Sequence, residues 1–368
     1  MSAAGKTLAR TVLRKNLHLR KGESVLIESW PHTLDYAADF VTEARRMGAR
    51  PTILYEDEAA WWDAVSRKNY GPLRTLSKAE KAAIGSADAY VYFWGPGDAL
   101  RRRALPESIG AKVTEWNEEW YRTARKGGLR GVRMNIGLAP DQVAKEFGLS
   151  GKGLRERLAA AGAADAPKMA AVGARILAAI KKGKKLHLTH RNGTDLWMDL
   201  RGVHGRVDAG IVDAETRKGP YGMMANNPTG LVMVAVDRAN AVGTVVANRA
   251  VYDFATLHRF TGAAWTFEKG RLARRAMGEG KGEFEKGFAN AGEGRDQLSY
   301  FSVGLNPAAK DLPPCEDTEE GAVLLSVGNN HLAGGKIGVM FRGYAMVAGG
   351  DVEVDGRRIV DGGRLRTG

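Results

Sequence analysis

Arg342 and Tyr344 are polar residues in an otherwise apolar stretch, FRGYAMV at 341–347. Side chains two residues apart on a strand point to the same face, so the sequence predicts that this guanidinium and this phenol reach one place. A guanidinium binds a carboxylate or phosphate through two parallel hydrogen bonds, and a phenol donates to a developing oxyanion. Because an interior guanidinium needs a partner, we expect Arg342 to face a mostly enclosed pocket.

The elements of the first half alternate between strands and helices. This order predicts an α/β domain over residues 1–184 with an open, doubly wound parallel sheet and right-handed crossovers. No Gly-x-Gly-x-x-Gly motif follows the first strand, so a dinucleotide fingerprint is absent. The predicted strands are 24–28, 52–55, 89–94, 112–115 and 131–136.

The second half is built mainly from strands. After an Ala-rich helix pair over about 151–183, turns of Gly, Asn and Asp separate short strands, which predicts an α+β, mostly antiparallel domain over residues 185–368. Helical inserts are expected near 282–288 and 295–301. The predicted strands are 186–189, 194–200, 231–236, 243–246, 264–268 and 322–327, with two more inside 335–363.

Composition narrows the classes of function. The chain has 368 residues, 44% hydrophobic and 26% charged, which is typical of a folded protein with two domains. An excess of 55 Lys and Arg over 42 Asp and Glu gives a net charge of +13, but the basic residues are scattered and nucleic-acid binding is not favoured. No apolar run reaches the roughly 18 residues of a membrane span. The single Cys315 excludes an intramolecular disulfide, so the sequence predicts a cytoplasmic protein without a membrane partner.

Seven short motifs follow one another in the second half. They are GTDL at 193–196, NNPTGLV at 226–232, VGTVV at 242–246, FEKGR at 267–271, GLNP at 304–307, SVGNNHLAGGK at 326–336 and VDGRRIVDGG at 354–363. The series resembles the aminopeptidase T family of dimetal aminopeptidases, and GESVLI at 22–27 with GARP at 48–51 resembles the family's opening. The resemblance implies an aminopeptidase T-like fold over most of the chain and a homodimer formed through the second domain.

The resemblance also implies where the two metal ions of that family would be held. The family's ligands are glutamates, a histidine and a final His-x-Asp pair, and their positions fall on Leu231, Tyr300, Leu324, Arg342 and Tyr344. Two divalent cations about 3.5–4 Å apart need several carboxylates. We therefore predict no metal and no other cofactor.

A different chemistry is open to the residues at these positions. His331 takes the place of the family's active-site tyrosine, and a histidine transfers protons near neutral pH. We predict His331, Tyr300 and Tyr344 as catalytic residues, and Arg342 and Asn227 as residues that bind a small amino, aromatic or peptide-derived acid. The alternative is a buried network whose members bond only to one another.

Other polar residues are interpreted as structural. His187 and His190 are three apart on a strand and face opposite sides, so they do not share a metal. His204 is read as a structural histidine and Asp195 as a turn residue. The asparagines at 329–330 lie in a Gly-rich turn, where amides cap the backbone.

Two classes of function stay open. One is a metal-independent enzyme or former peptidase, and the other is a non-catalytic dimeric binding or scaffold protein. An active leucyl-type metallo-aminopeptidase would require a different register of the motifs. A related branch of the fold binds one iron and cleaves dihydroxypyridine rings, but its His-x-Asp ligands also fall on Arg342 and Tyr344.

Overall fold

The computed structural model describes residues 3–113, 117–214, 216–218, 223–237, 241–253 and 258–366. The chain forms two compact units, Met1–Ala166 with Gly210–Pro228, and Pro167–Ala209 with Thr229–Gly368. This division differs from a single boundary at 184/185, because the helix before the boundary belongs to the second unit and residues 210–228 return to the first.

The strands in chain order are β1 Ser24–Ser29, β2 Arg50–Tyr55, β3 Ala89–Phe93, β4 Arg130–Met134, β5 Lys185–His190, β6 Thr194–Asp199, β7 His204–Asp208, β8 Met224–Asn227, β9 Leu231–Ala235, β10 Ala241–Val246, β11 Val251–Tyr252, β12 Arg259–Phe260, β13 Ala264–Glu268, β14 Arg271–Ala276, β15 Leu298–Gly304, β16 Val323–Gly328, β17 Arg342–Val347, β18 Asp351–Val354, β19 Arg357–Asp361 and β20 Arg364–Leu365.

The α-helices are α1 Ala3–Thr11, α2 Leu34–Arg46, α3 Glu58–Ser66, α4 Gly71–Arg74, α5 Lys78–Ser86, α6 Ala99–Arg103, α7 Glu107–Val113, α8 Asn117–Gly127, α9 Asp141–Glu146, α10 Gly151–Gly162, α11 Ala166–Lys182 and α12 Lys281–Asn290. A π-helical turn spans Val12–Asn16, and 3₁₀ turns span Pro31–Thr33, Asn135–Leu138, Thr216–Lys218, Glu316–Thr318 and His331–Ala333. None of the helices in the described ranges is long and apolar enough to cross a membrane.

The first unit is organised by a parallel sheet in the order β2-β1-β3-β4-β8. Helices begin at polar caps: the Asp57 carboxylate accepts from the Ala60 N–H at 2.8 Å, and Ser77 and Glu80 form a reciprocal capping box. The core of α1 and α2 includes buried Glu43, which is bridged by Arg10 at 3.3 Å. The expected parallel α/β sheet is confirmed.

The second unit is built from antiparallel sheets. One has the order β14-β13-β10-β6-β5-β18-β19-β20, a second has the order β17-β16-β15-β9-β7, and β11 and β12 form a two-stranded sheet. Its largest fully buried side chains include Trp265, Phe267 and Phe301. Helix α11 packs closely here, since a Cβ added at Gly173 would lie 2.7 Å from Val207 of β7. This contact explains why α11 belongs to the second unit.

Several sequence predictions of local structure are wrong. Residues 112–113 end helix α7 instead of starting a strand, and Thr114 and Glu115 lie outside the described residues. The expected helix at 295–301 is largely strand β15, whose side chains are buried along its whole length. In the stretch 335–363, the run 339–341 is not a strand, and the first strand begins at Arg342.

Candidate functional site

The five-stranded sheet of the second unit carries most of the predicted site residues on one face. Tyr300 of β15 pairs with Ser326 of β16, and Ser326 pairs with Tyr344 of β17. Directly paired residues of antiparallel strands share a face, and so do residues two apart on one strand. Arg342 and Leu324 therefore lie on this face as well. The prediction that Arg342 and Tyr344 point to one side is confirmed.

The middle of this face is apolar. Leu231, Leu324 and Met346 are 8%, 2% and 0% exposed and belong to one hydrophobic cluster with Tyr300, against which Tyr344 packs. Burial of each large aliphatic side chain contributes about 1.5–3 kcal/mol. The face is therefore a packed apolar floor.

Arg342 and Tyr344 form the rim of that floor. Arg342 is exposed at the start of β17, and its side chain donates a hydrogen bond to the half-buried Tyr344 hydroxyl. Burial raises the pKa of Tyr344 to about 12, although Arg342 lowers it. The expectation that Arg342 lies in an enclosed pocket is wrong in part, because the residue is exposed at the end of the sheet while desolvation still acts on its guanidinium.

Tyr300 lies deeper than the rim residues. It is 6% exposed, and its hydroxyl hydrogen-bonds Ser326. Burial first, and then the nearby Tyr344, raise the pKa of Tyr300 well above its ordinary value. Both phenols therefore keep their protons at neutral pH and act as donors.

Asp317 is an acidic residue at this site that the sequence did not reveal. It lies in the 3₁₀ turn Glu316–Thr318, and its charge raises the pKa of Tyr300 and of Tyr344. Burial raises the pKa of Asp317 to about 6, and Asp208 adds to the rise. A carboxyl group with this pKa exchanges a proton close to neutral pH. The local sequence CEDTEE marks a polar turn but not its long-range contact.

Asp253 is the second acidic residue near the rim. Its charge raises the pKa of Arg342 and of Tyr344. For Arg342, desolvation is the largest single influence and lowers the pKa, but Tyr344, Tyr300 and the charged Asp253 raise it, and the net direction is upward. The guanidinium therefore stays charged.

His331 lies in the loop after β16. It is exposed in the 3₁₀ turn His331–Ala333, with its ring against Gly338, where an added Cβ would lie 2.8 Å from Cε1. The main electrostatic influences on Tyr300, Tyr344 and Arg342 are one another and the nearby aspartates, and His331 is not among them. Its role as a catalytic residue stays a prediction.

Asn227 is held inside the first unit. It ends strand β8, is 4% exposed, and donates from Nδ2 to the Gly162 carbonyl at 2.8 Å. The amide therefore supports the packing of α10 on the sheet. The prediction that it lines a pocket beside Leu231 finds no support in these contacts.

The other polar candidates are settled by their contacts. His187 stacks on exposed Trp197 with ring centroids 3.8 Å apart, and its Nε2 lies 2.8 Å from Asp195 Oδ1. Asp195 is a residue of β6 and not of a turn, so that interpretation is wrong. His204 is the first residue of β7. It pairs with Ala235 of β9, which also pairs with Tyr300, so His204 and Tyr300 lie in one row across the sheet.

A cleft of about 930 Å³ lies elsewhere in the second unit. It contains charges of both signs, and Arg249 on its wall is paired with Asp311 at 3.1 Å. The full lining is Thr189, His190, Arg191, Asn248, Arg249, Lys310, Glu319, Glu320, Ala348, Gly349, Asp351, Gly362 and Gly363. None of the predicted site residues belongs to this lining.

The residues at the implied metal positions do not fit a pair of divalent cations. Leu231 and Leu324 have no donor atom, and Arg342 brings a positive charge. Within the described ranges, no three His, Cys, Asp or Glu side chains come together as possible ligands of one ion. Leu231 and Leu324, at two of the positions that the family resemblance implies for ligands, belong to the apolar floor.

A parallel α/β unit and a unit of antiparallel sheets define an aminopeptidase-like fold. AmpT, the aminopeptidase T of Thermus thermophilus, shares this fold with a TM-score of 0.67 and 17% identity over 98% of this chain and 98% of that chain. The 2,5-dihydroxypyridine dioxygenase of Pseudomonas putida KT2440 shares it with a TM-score of 0.63 and 16% identity over 100% and 98% of the two chains. No protein-family model and no curated protein matches the chain. An aminopeptidase and a dioxygenase share the fold, so the likeness defines architecture and not an activity.

Proposed function

We propose that the second unit is a metal-independent enzyme that binds a small carboxylate-bearing molecule at Arg342. The observation that carries the proposal is the accessible Arg342 guanidinium beside Tyr344, on the same sheet face as Tyr300. A guanidinium matches the two oxygens of a carboxylate, and the phenols donate further hydrogen bonds. The substrate class is an amino, aromatic or peptide-derived acid.

The apolar floor suits the rest of such a molecule. Leu231 keeps 8% of its surface exposed and offers packing to an aliphatic or aromatic side chain, while Leu324 and Met346 support it from within the fold. Proton transfer is assigned to Asp317, which exchanges a proton near neutral pH, while Tyr300 and Tyr344 act as hydrogen-bond donors. His331, in the loop after β16, is proposed as a second residue that transfers a proton to or from the ligand.

A non-catalytic binding protein is the second candidate. The observation that favours it is the packed floor itself, because Leu231 and Leu324 supply no group that activates water. The two candidates share the Arg342 contact and differ in turnover. Incubation with a panel of dipeptides and amino acid amides, followed by mass spectrometry, separates them.

Arg342→Met is expected to weaken binding of N-acetyl-L-leucine at least about 10-fold, because charge-assisted hydrogen bonds contribute about 1.5–3 kcal/mol. Titration calorimetry on the full chain measures the change. Arg274→Met removes the same charge from an exposed position of β14 and should leave affinity unchanged. Equal affinity in wild type and Arg342→Met contradicts the proposal. A loss of many degrees in melting temperature without ligand would instead assign Arg342 to the fold.

Protein purified without a His-tag is expected to contain well under one zinc, cobalt, manganese or iron ion per chain, because the five implied ligand positions carry no carboxylate. Elemental analysis after dialysis measures this. Leucine-p-nitroanilide should not be hydrolysed even with added cobalt. Stoichiometric metal that survives dialysis would show that the register of the motifs is wrong.

A homodimer through the second unit is proposed from the family resemblance. Light scattering at micromolar concentration should give twice the chain mass of 39.7 kDa. A stable interface of this kind buries more than about 2,000 Å². A monomeric mass would contradict the homodimer but would not bear on ligand binding at Arg342.

A further inference from the structure

A row of polar side chains crosses the parallel sheet of the first unit. Glu28 of β1 pairs with Tyr92 of β3, Tyr92 with Arg133 of β4, and Arg133 with Asn226 of β8. Paired residues share a face, and all four are half-buried. Parallel strands covered on both faces are normally apolar along their length. This row, the Glu28–Asn226 row, departs from that pattern on one face.

The row lies near the carboxyl ends of the strands. Glu28 is the next-to-last residue of β1, and Tyr92 is the next-to-last of β3. Strand β1 lies between β2 and β3. The chain therefore passes from β1 to β2 on one side and then crosses to β3 on the other side. In open α/β sheets, ligands bind beyond the carboxyl ends of the strands at such a switch point. The Glu28–Tyr92 pair spans this point.

Aromatic rings pack against Tyr92 of the row and against its neighbour Tyr90. The Tyr90 and Tyr92 rings are stacked with centroids 6.4 Å apart, and Tyr92 and Trp94 are 5.3 Å apart. Trp120 of α8 lies 5.0 Å from Tyr90 and is 4% exposed. Its buried indole N–H has no hydrogen-bond partner among the described residues. Aromatic faces and an unused donor suit a planar ligand.

Two guanidiniums, those of Arg133 and Arg102, lie at the row. Arg133 donates a hydrogen bond to the Tyr121 hydroxyl, and its guanidinium lies 5.8 Å from the centre of that ring. Arg102 of α6 interacts electrostatically with Tyr92. The Glu28 carboxyl accepts a hydrogen bond from the Tyr90 hydroxyl. Burial raises the pKa of Glu28 to about 8, and the nearby Glu56 and Glu80 add to the rise, so the neutral form of this carboxyl is favoured near pH 7.

We propose that the Glu28–Asn226 row is a binding site for a planar aromatic carboxylate, with Arg133 and Arg102 attracting the carboxylate and the rings of Tyr92 and Trp94 stacking on the ligand. The site lies in the first unit and is separate from the Arg342 site. It therefore goes beyond the proposed function and does not depend on it.

Binding of benzoate to the full chain tests the site. Titration calorimetry should give a dissociation constant of about 1 mM or tighter for wild type. Arg133→Met and Arg102→Met should each weaken binding at least about 10-fold, and benzamide should bind more weakly than benzoate to wild type. Arg122→Met removes the same charge from an exposed position of α8 and should leave benzoate affinity unchanged.

The result for Arg342→Met separates this site from the one in the second unit. Retained benzoate affinity in Arg342→Met, with loss in the Arg133 and Arg102 variants, supports the Glu28–Asn226 row. Loss in Arg342→Met alone, or no heat of binding to wild type, overturns the proposal. Circular dichroism of each variant identifies misfolding, and Arg102→Met keeps the test decisive if Arg133→Met does not fold.

Discussion

Asn330→Ala is expected to lower the free energy of unfolding of the second unit by about 3 kcal/mol. The side chain is 0% exposed. Its Nδ2 donates to the Ser299 carbonyl at 3.0 Å and to Asp237 Oδ1 at 2.9 Å, and its Oδ1 accepts from the Ile337 N–H at 2.8 Å. Alanine would leave buried acceptors and a donor without partners, which costs about 1–3 kcal/mol for each group.

Urea denaturation and amide hydrogen exchange of residues 329–341 measure the effect. Asn290→Ala is the matched control, because Asn290 is exposed at the end of α12, and it should change stability by less than about 0.5 kcal/mol. The stability of Asn329→Ala should lie between those of the two other variants. The half-buried Asn329 amide donates one hydrogen bond to Val339 O at 3.2 Å and accepts one from the His331 N–H at 3.1 Å. Equal stability of the Asn330 and Asn290 variants would show that solvent satisfies the groups that alanine exposes.

Strand periodicity could be predicted from the sequence because it depends only on spacing. The two-residue separation of Arg342 and Tyr344 gave their common face, and cross-strand pairing extended that face to Tyr300. The burial of each side chain could not be predicted in this way. The start of β17 lies at the end of its sheet, so Arg342 is exposed although the residues that follow are buried.

The division into units could not be predicted from local patterns. Strand β8 has only the sequence MANN, whose asparagines favour turns, and it becomes a strand by pairing with β4. The helix expected at 295–301 failed for a similar reason. Charged Arg295 and Asp296 resemble a helix start, but pairing with β9 and β16 makes β15 a central strand.

Buried carboxyl groups were the least predictable part of the candidate sites. Asp317 and Glu28 lie far along the chain from the residues that surround them, and an acidic side chain in a polar turn or at a strand end is usually solvated. In the fold, both become half-buried, and desolvation is the largest cause that raises the pKa of each. Groups of this kind make the free energy of unfolding depend on pH, and they occur often at functional sites.

Wild-type protein is expected to lose about 3 kcal/mol of unfolding free energy between about pH 5 and about pH 8 through Glu28, and Glu28→Gln is expected to remove this loss. The pKa of Glu28 is raised from 4.5 to about 8, with burial as the largest cause. Between those values the native state holds a proton that the unfolded state has released, so stability falls as pH rises. Glutamine keeps the shape, carries no charge, and accepts from the Tyr90 hydroxyl.

The comparison uses urea denaturation of both proteins across this pH range, with Glu118→Gln as the control because Glu118 is exposed on α8. Tyr90, Glu56 and Glu80 influence the pKa of Glu28, and Glu28 influences the pKa of Tyr92, on which Arg133 and Arg102 also act. Tyr90→Phe should extend the loss to higher pH, because it removes a hydrogen bond that lowers the Glu28 pKa. Parallel stability curves for wild type and Glu28→Gln would mean that Glu28 is already ionised at neutral pH. The Glu28–Asn226 row would then be less positive, and its preference for benzoate over benzamide should shrink with it.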